Sequence, residues 1–124
     1  MTLKIAIIEE SDEHLADRLR AEIPEIIVHA GKSEAEILPH CAEADVLMGL
    51  AQSITPNMVK AAKDLQWIQA LTTGVDPLKA MKELDPKIPI TSGRGIHGPQ
   101  MSELAFLYML NFARDIRTIL SDQE

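Results

Sequence analysis

Short apolar runs alternate with helix-start signals five times along this chain, and that alternation leaves few folds open. The runs occupy residues 3–8, 26–29, 45–50, 67–71 and 88–91. Each is the length of a buried strand, and each is followed by helical spacing or helix-capping chemistry. Ser11 stands before Asp12 and the spaced Leu15, Leu19 and Ile23, with Pro24 as a stop. Ser33-Glu34-Ala35-Glu36 reads as a capping box, and Pro39 shortens or kinks the helix it opens. Thr55-Pro56 puts a cap before a proline at the first helical position. Asp76-Pro77 repeats that device and opens a helix to about residue 84. Pro99 starts the longest helix, over residues 99–120.

Five strands alternating with helices predict an α/β fold with a parallel sheet covered on both faces. Right-handed crossovers and the chain's size favour a doubly wound, flavodoxin-like sheet of order 2-1-3-4-5. A length of 124 residues suits one hydrophobic core. Trp67, Phe106, Tyr108 and Phe112 are the only aromatic residues, so that core must be aliphatic.

Composition excludes several functions. The net charge is −7, and lysine and arginine form no run, which argues against a nucleic-acid partner. No apolar run approaches the roughly 18 residues that span a bilayer, so no membrane is expected. The first eight residues carry neither the long apolar stretch nor the cleavage site of a secretory leader. Cys41 is the only cysteine; it reads as a small buried hydrophobe, and the lack of a disulfide fits a cytoplasmic protein. His14, His29, His40 and His97 show no metal-ligand spacing, and the first three are expected at the surface.

Ligands of such sheets bind beyond the carboxyl ends of the strands. Two motifs fall there. In Leu71-Thr72-Thr73-Gly74-Val75-Asp76-Pro77 a strand gives way to a helix through a glycine. Gly74 at positive φ would align the amides of Thr73, Gly74 and Val75 as a nest beside a helix start, suited to a carboxylate. An ordinary strand-to-helix turn is the plainer alternative. The second motif, Gly93-Arg94-Gly95-Ile96-His97-Gly98, is literally G-x-G-x-x-G. A dinucleotide fingerprint needs an acidic residue about twenty positions on, at the end of the next strand. Here the chain is expected to be helical at that distance, and Pro99 removes an amide from the helix start. The alternative is a glycine-rich hinge that leaves Arg94 and His97 available to a ligand.

The last helix contains seven consecutive apolar residues, Leu104 to Leu110. A helix apolar all round should be buried on more than one side. It is expected to pack against a second domain or another subunit; a central core helix is the alternative. Glu9 and Glu10 resemble the acidic pair of phosphate-accepting receiver domains, but no aspartate ends the third strand and Lys87 precedes the fifth, so that function is set aside.

Three segments together resemble the D-isomer-specific 2-hydroxyacid dehydrogenases, in their N-terminal, substrate-binding part. They are the stretch from Leu65-Gln66-Trp67 through Gly74-Val75-Asp76, then Ile88-Pro89-Ile90-Thr91-Ser92-Gly93-Arg94-Gly95, then Gln100-Met101-Ser102-Glu103-Leu104-Ala105 continuing to Arg114. The resemblance implies reversible reduction of a 2-keto acid to a D-2-hydroxy acid with NADH or NADPH. It implies that the substrate carboxylate sits on the amides of Thr73, Gly74 and Val75. Arg94 and His97 are further substrate-binding candidates, although relatives often carry asparagine where His97 stands. It implies a substrate domain over residues 1–98, and an interdomain helix from residue 99 leading to a nucleotide-binding domain. The catalytic arginine, glutamate and histidine would lie in that later part. The chain alone is therefore expected to be inactive, to bind no NAD or NADP and no metal, and to form a homodimer through residues 99–120. The rival readings are a free-standing flavodoxin-like module for a small anion or protein, and a nucleotide-binding domain using residues 93–98.

Overall fold

The computed structural model describes residues 2–9 and 14–123. The chain forms two compact units, Met1–Gly93 and Arg94–Glu124. The first holds β1 (Lys4–Ile8), α1 (His14–Glu22), β2 (Ile27–Gly31), α2 (Glu34–Cys41), β3 (Val46–Gly49), α3 (Pro56–Ala61), β4 (Trp67–Ala70), α4 (Asp76–Lys79) and β5 (Ile90–Ser92). All strand pairs are parallel, and the order is β2-β1-β3-β4-β5, as the alternation predicts. The expected cap at Ser11 falls outside the described residues.

Side chains divide between the two faces with period two. Ala6, Ile8, Leu47, Ile68 and Ala70 join Ile37, Met58 and Leu78 of α2, α3 and α4 in the larger apolar cluster. Ile5, Ile7, Val46 and Met48 face the other way, with Ala16 of α1 and the half-buried Trp67 and Leu71. Burial on both faces is why these strands read as unbroken apolar runs. Toward β5 this second face turns polar: Trp67 Nε1 donates to Thr91 Oγ1 at 2.7 Å, and Thr91 Oγ1 donates to Gln69 Oε1 at 2.7 Å.

Local details depart from the sequence-based expectations in three places, and agree in a fourth. Ser33 is the N-cap of α2 but its side chain caps nothing; Glu36 instead accepts the Lys32 amide at 2.9 Å. Thr55 does cap α3, accepting from the Met58 amide at 3.3 Å. At α4 the N-cap is Val75, not Asp76, and no side chain caps it. The helix expected to reach residue 84 is a single turn; beyond it, Met81 N donates to Leu78 O and Leu84 N to Met81 O. Three-residue steps present Leu78, Met81 and Leu84 to one side, which imitates helical spacing without continuing the helix.

The second unit is a glycine-rich turn, α5 (Gly98–Arg114) and α6 (Ile116–Ser121). The single long helix expected here is broken at Asp115, which adopts the left-handed conformation at φ 48°. Its amide bonds back to the carbonyls of Asn111 and Phe112, ending α5 as a glycine would. In the single chain the side chains of this helix are exposed: Phe106 is 62%, Leu107 60% and Phe112 85% accessible.

Candidate substrate-anchoring turn

Register places the site. Gly49 of β3 lies beside Ala70 of β4, and Ala70 beside Ser92 of β5. The carboxyl ends of three strands therefore finish level. Just beyond, the Leu71 amide donates to Gly49 O at 2.8 Å, and the Gly93 amide to Thr72 O at 3.2 Å. β4 then turns through Thr72, Thr73 and Gly74, and Val75 re-enters the core at 7% exposure. Val75 also supplies the carbonyl that the Leu78 and Lys79 amides bond to, so the turn is tied to α4 by side chain and backbone alike.

Thr73 and Gly74 are exposed, and among the described residues none of the amides of Thr73, Gly74 and Val75 donates to a protein acceptor. Three successive unpaired donors on one turn need an acceptor from solution. The expected route to this arrangement is corrected: Gly74 does not take positive φ. A Cβ added to it would meet no atom within 4 Å, so the space beside the turn is open. The role of the helix start also shrinks, because α4 has four residues and a single turn adds little dipole. The donors themselves are what the turn offers an anion.

Thr72 was missed by the sequence reading. Its hydroxyl donates to Gly74 O at 2.7 Å, two residues on, and accepts from the Ala51 amide at 3.4 Å. The available signal was a threonine two positions before a glycine at a strand end, where hydroxyls often bond nearby backbone.

Arg94 and His97 belong to the second unit, both exposed on the turn ahead of α5, with His97 as its N-cap position. Gly95 sits there at φ 82°, which explains a glycine without invoking a nucleotide. The loop opens α5, and α6 follows it, so the residues about twenty positions on are helical, where a dinucleotide fingerprint has the end of a strand.

Recesses also open elsewhere in the first unit. One of about 260 Å³ is lined by Lys4, His29, His40 and Glu43 at the amino end of the sheet. Its cation is taken, since Lys4 Nζ lies 2.6 Å from Glu43 Oε2. Cys41 is buried, and burial pushes its thiol up to about 11, which leaves it protonated and inert as a nucleophile. Among the described residues no group of three or more His, Cys, Asp or Glu is arranged to hold a metal, and no helix is long and apolar enough to cross a membrane.

The model of the D-isomer specific 2-hydroxyacid dehydrogenase catalytic domain matches residues 5–107. Hydroxypyruvate reductase of Thermotoga maritima is 27% identical over 114 residues, which cover 83% of this chain and 37% of that protein. The crystal structure of a D-isomer specific 2-hydroxyacid dehydrogenase family protein from Aeromonas salmonicida matches with a TM-score of 0.87 over 99% of this chain and 39% of its own, at 24% identity. The NAD+-bound 3-phosphoglycerate dehydrogenase of Entamoeba histolytica matches at 0.62 over 90% of this chain and 39% of its own, at 18% identity. These two structural likenesses speak for the fold. The chain spans about two fifths of the length of the relatives it matches.

Proposed function

The chain belongs to the D-isomer-specific 2-hydroxyacid dehydrogenase family, and from that premise we propose that it is the substrate-holding part of an oxidoreductase interconverting a 2-keto acid and a D-2-hydroxy acid. In this reading the amides of Thr73, Gly74 and Val75 donate to the substrate carboxylate. The observation that carries it is the set of three unpaired amides beside open space at the carboxyl end of β4. An anion accepts strongly from backbone N–H groups, and charge-assisted bonds are about twice as strong as neutral ones. Fixing the carboxylate leaves the adjoining C2 carbonyl one short bond away and limits its orientation.

Reduction adds a hydride to C2 and a proton to its oxygen. The proposed donor in the whole protein is NADH or NADPH, held by residues other than these; what supports this is that the residues about twenty positions after the loop over residues 93–98 are helical, where a dinucleotide fingerprint has the end of a strand. No step of hydride transfer is assigned to this chain. Residues 1–124 alone are accordingly proposed to be inactive and to bind neither nucleotide.

We test the anchor by titrating the ¹⁵N-labelled chain with pyruvate and with hydroxypyruvate. The amides of residues 73, 74 and 75 should shift together and saturate, and should respond far less to an uncharged ester of the same acid. Unmoved amides would overturn the reading. Oxidation of NADH by the purified chain in the presence of either acid would overturn the proposed inactivity.

The same proposal includes a homodimer formed through residues 99–120. What supports it is the exposure of Phe106, Leu107, Leu110 and Phe112 on one continuous helix; apolar patches of this kind mark interaction surfaces. Light scattering over a concentration series should give twice the chain mass, and Phe112→Glu with Leu107→Glu should halve it. A monomer at every concentration would refute the dimer.

A further inference from the structure

The amide donors of the turn are useful to a ligand only if their peptide planes are held, and glycine is the residue least able to hold them. Gly74 has no side chain, no neighbour within 4 Å of its Cβ direction, and freedom to take φ of either sign. One contact restrains it. The Thr72 hydroxyl donates to the Gly74 carbonyl at 2.7 Å.

That contact settles the direction of a neighbouring donor. The peptide joining Gly74 to Val75 is planar and trans, so its C=O and N–H point in opposite directions. Drawing the Gly74 oxygen back onto Thr72 therefore turns the Val75 N–H the other way. Val75 cannot rotate to compensate, because its side chain is in the core and its carbonyl is engaged by α4.

Thr72 is itself held from both sides. Its oxygen accepts the Ala51 amide of the segment following β3 at 3.4 Å, and its carbonyl accepts the Gly93 amide that follows β5 at 3.2 Å. Accepting from Ala51 also orients the hydroxyl, leaving its proton for Gly74. One side chain thus links the ends of β3 and β4, and its backbone links β4 to β5.

We infer that Thr72 is a positioning residue for the substrate carboxylate, its hydroxyl locking the Gly74–Val75 peptide so that the Val75 N–H faces the ligand. This rests on the reading of the turn as the carboxylate anchor. Thr72 itself touches no substrate; it acts through the peptide it holds.

The test compares Thr72→Ser, which keeps the hydroxyl, with Thr72→Val, which keeps the shape and loses it. Pyruvate is the probe, and the ¹⁵N shifts of the Gly74 and Val75 amides are the readout, in the 124-residue chain. Thr72→Ser should bind within about two-fold of the unaltered chain. Thr72→Val should bind roughly five- to ten-fold more weakly, the loss of one hydrogen bond, with the Val75 shift most reduced and the remaining spectrum preserved. If Thr72→Val does not fold, Thr72→Ala against Thr72→Ser isolates the same hydroxyl. Equal binding by the hydroxyl-free and hydroxyl-bearing variants would overturn the inference while leaving the anchor intact. An equal loss in Thr72→Ser would overturn it too, since packing would then be the cause. No response of the unaltered chain's amides would remove the anchor itself, a result distinct from either.

Discussion

A Cβ built on Gly49 would lie 2.5 Å from Cγ2 of Ile8 and 3.0 Å from the Ile8 carbonyl oxygen, because β1 and β3 run side by side in a register that pairs these two residues. The Ile8 side chain can rotate to relieve the first contact, but the carbonyl belongs to the sheet and cannot. Gly49→Ala should therefore destabilise the chain by about 1–3 kcal/mol, the usual cost of overpacking a core. Urea unfolding checks it, and an unchanged midpoint would show that the strands separate more easily than this register implies.

Gly74→Ala should behave in the opposite way. The new methyl meets nothing in the protein, and the backbone there is not in the left-handed region. Stability should hold or rise slightly, since alanine restricts the unfolded chain by about 0.4–1 kcal/mol more than glycine where the conformation is compatible. Pyruvate binding should fall by about ten-fold or more, because the methyl occupies the space the carboxylate needs. Binding that survives this substitution would place the ligand elsewhere.

At the opposite end of the sheet, Asp45 joins the starts of three strands. Its Oδ2 accepts the Lys4 amide at 2.9 Å and its Oδ1 accepts Gln66 Nε2 at 2.9 Å, while its own amide donates to Lys4 O at 2.9 Å. Asp45→Ala strips a backbone donor and a side-chain donor of their acceptor in a buried position, and should cost about 2 kcal/mol. Asp45→Asn keeps one acceptor and should cost less. Denaturant titration of both variants, ranked against each other, decides it; equal losses would mean that charge rather than acceptor geometry matters.

His29 stacks on His40 with ring centroids 4.0 Å apart and planes 8° from parallel. Burial lowers the His29 pKa from its usual 6.5, and the adjacent His40, Arg20 and Lys4 push the same way against Glu43. The folded chain thus takes up this proton less readily than the unfolded chain. Stability from this source is complete above pH 6.5 and declines as pH falls below it, until folded His29 is protonated too. His29→Gln should remove that decline. The Glu43 carboxyl, held below its usual 4.5 by Lys4, adds a separate loss only at more acidic pH. Parallel stability curves for the two proteins between neutrality and pH 5 would refute the assignment.

The strands were legible because burial on both faces writes them as apolar runs, bounded by residues that start helices. Their ends moved by one or two positions, as hydrogen bonding rather than composition sets them. Two helices were misjudged for local reasons. Leu78, Met81 and Leu84 repeat every three residues, which a helix and a chain of tight turns satisfy alike. Asp115 takes a left-handed conformation that no glycine or proline announced.

The candidate site was half legible. Thr73-Gly74-Val75 stood out because a glycine between a strand and a proline-led helix marks a turn at the ligand-binding edge. Thr72 did not, because one of its two partners is the Ala51 amide, 21 residues earlier in the chain.

Local order of residue types was enough to determine an alternating α/β chain, the strand order of its sheet, and the edge where chemistry should lie, since burial periodicity and capping are short-range properties. Tertiary register alone decided that Ala51, Thr72 and Gly93 meet, and that a side chain at Gly49 would crowd Ile8. Hydrogen bonds between strands depend on how far each strand slides past its neighbour, and no single segment carries that offset.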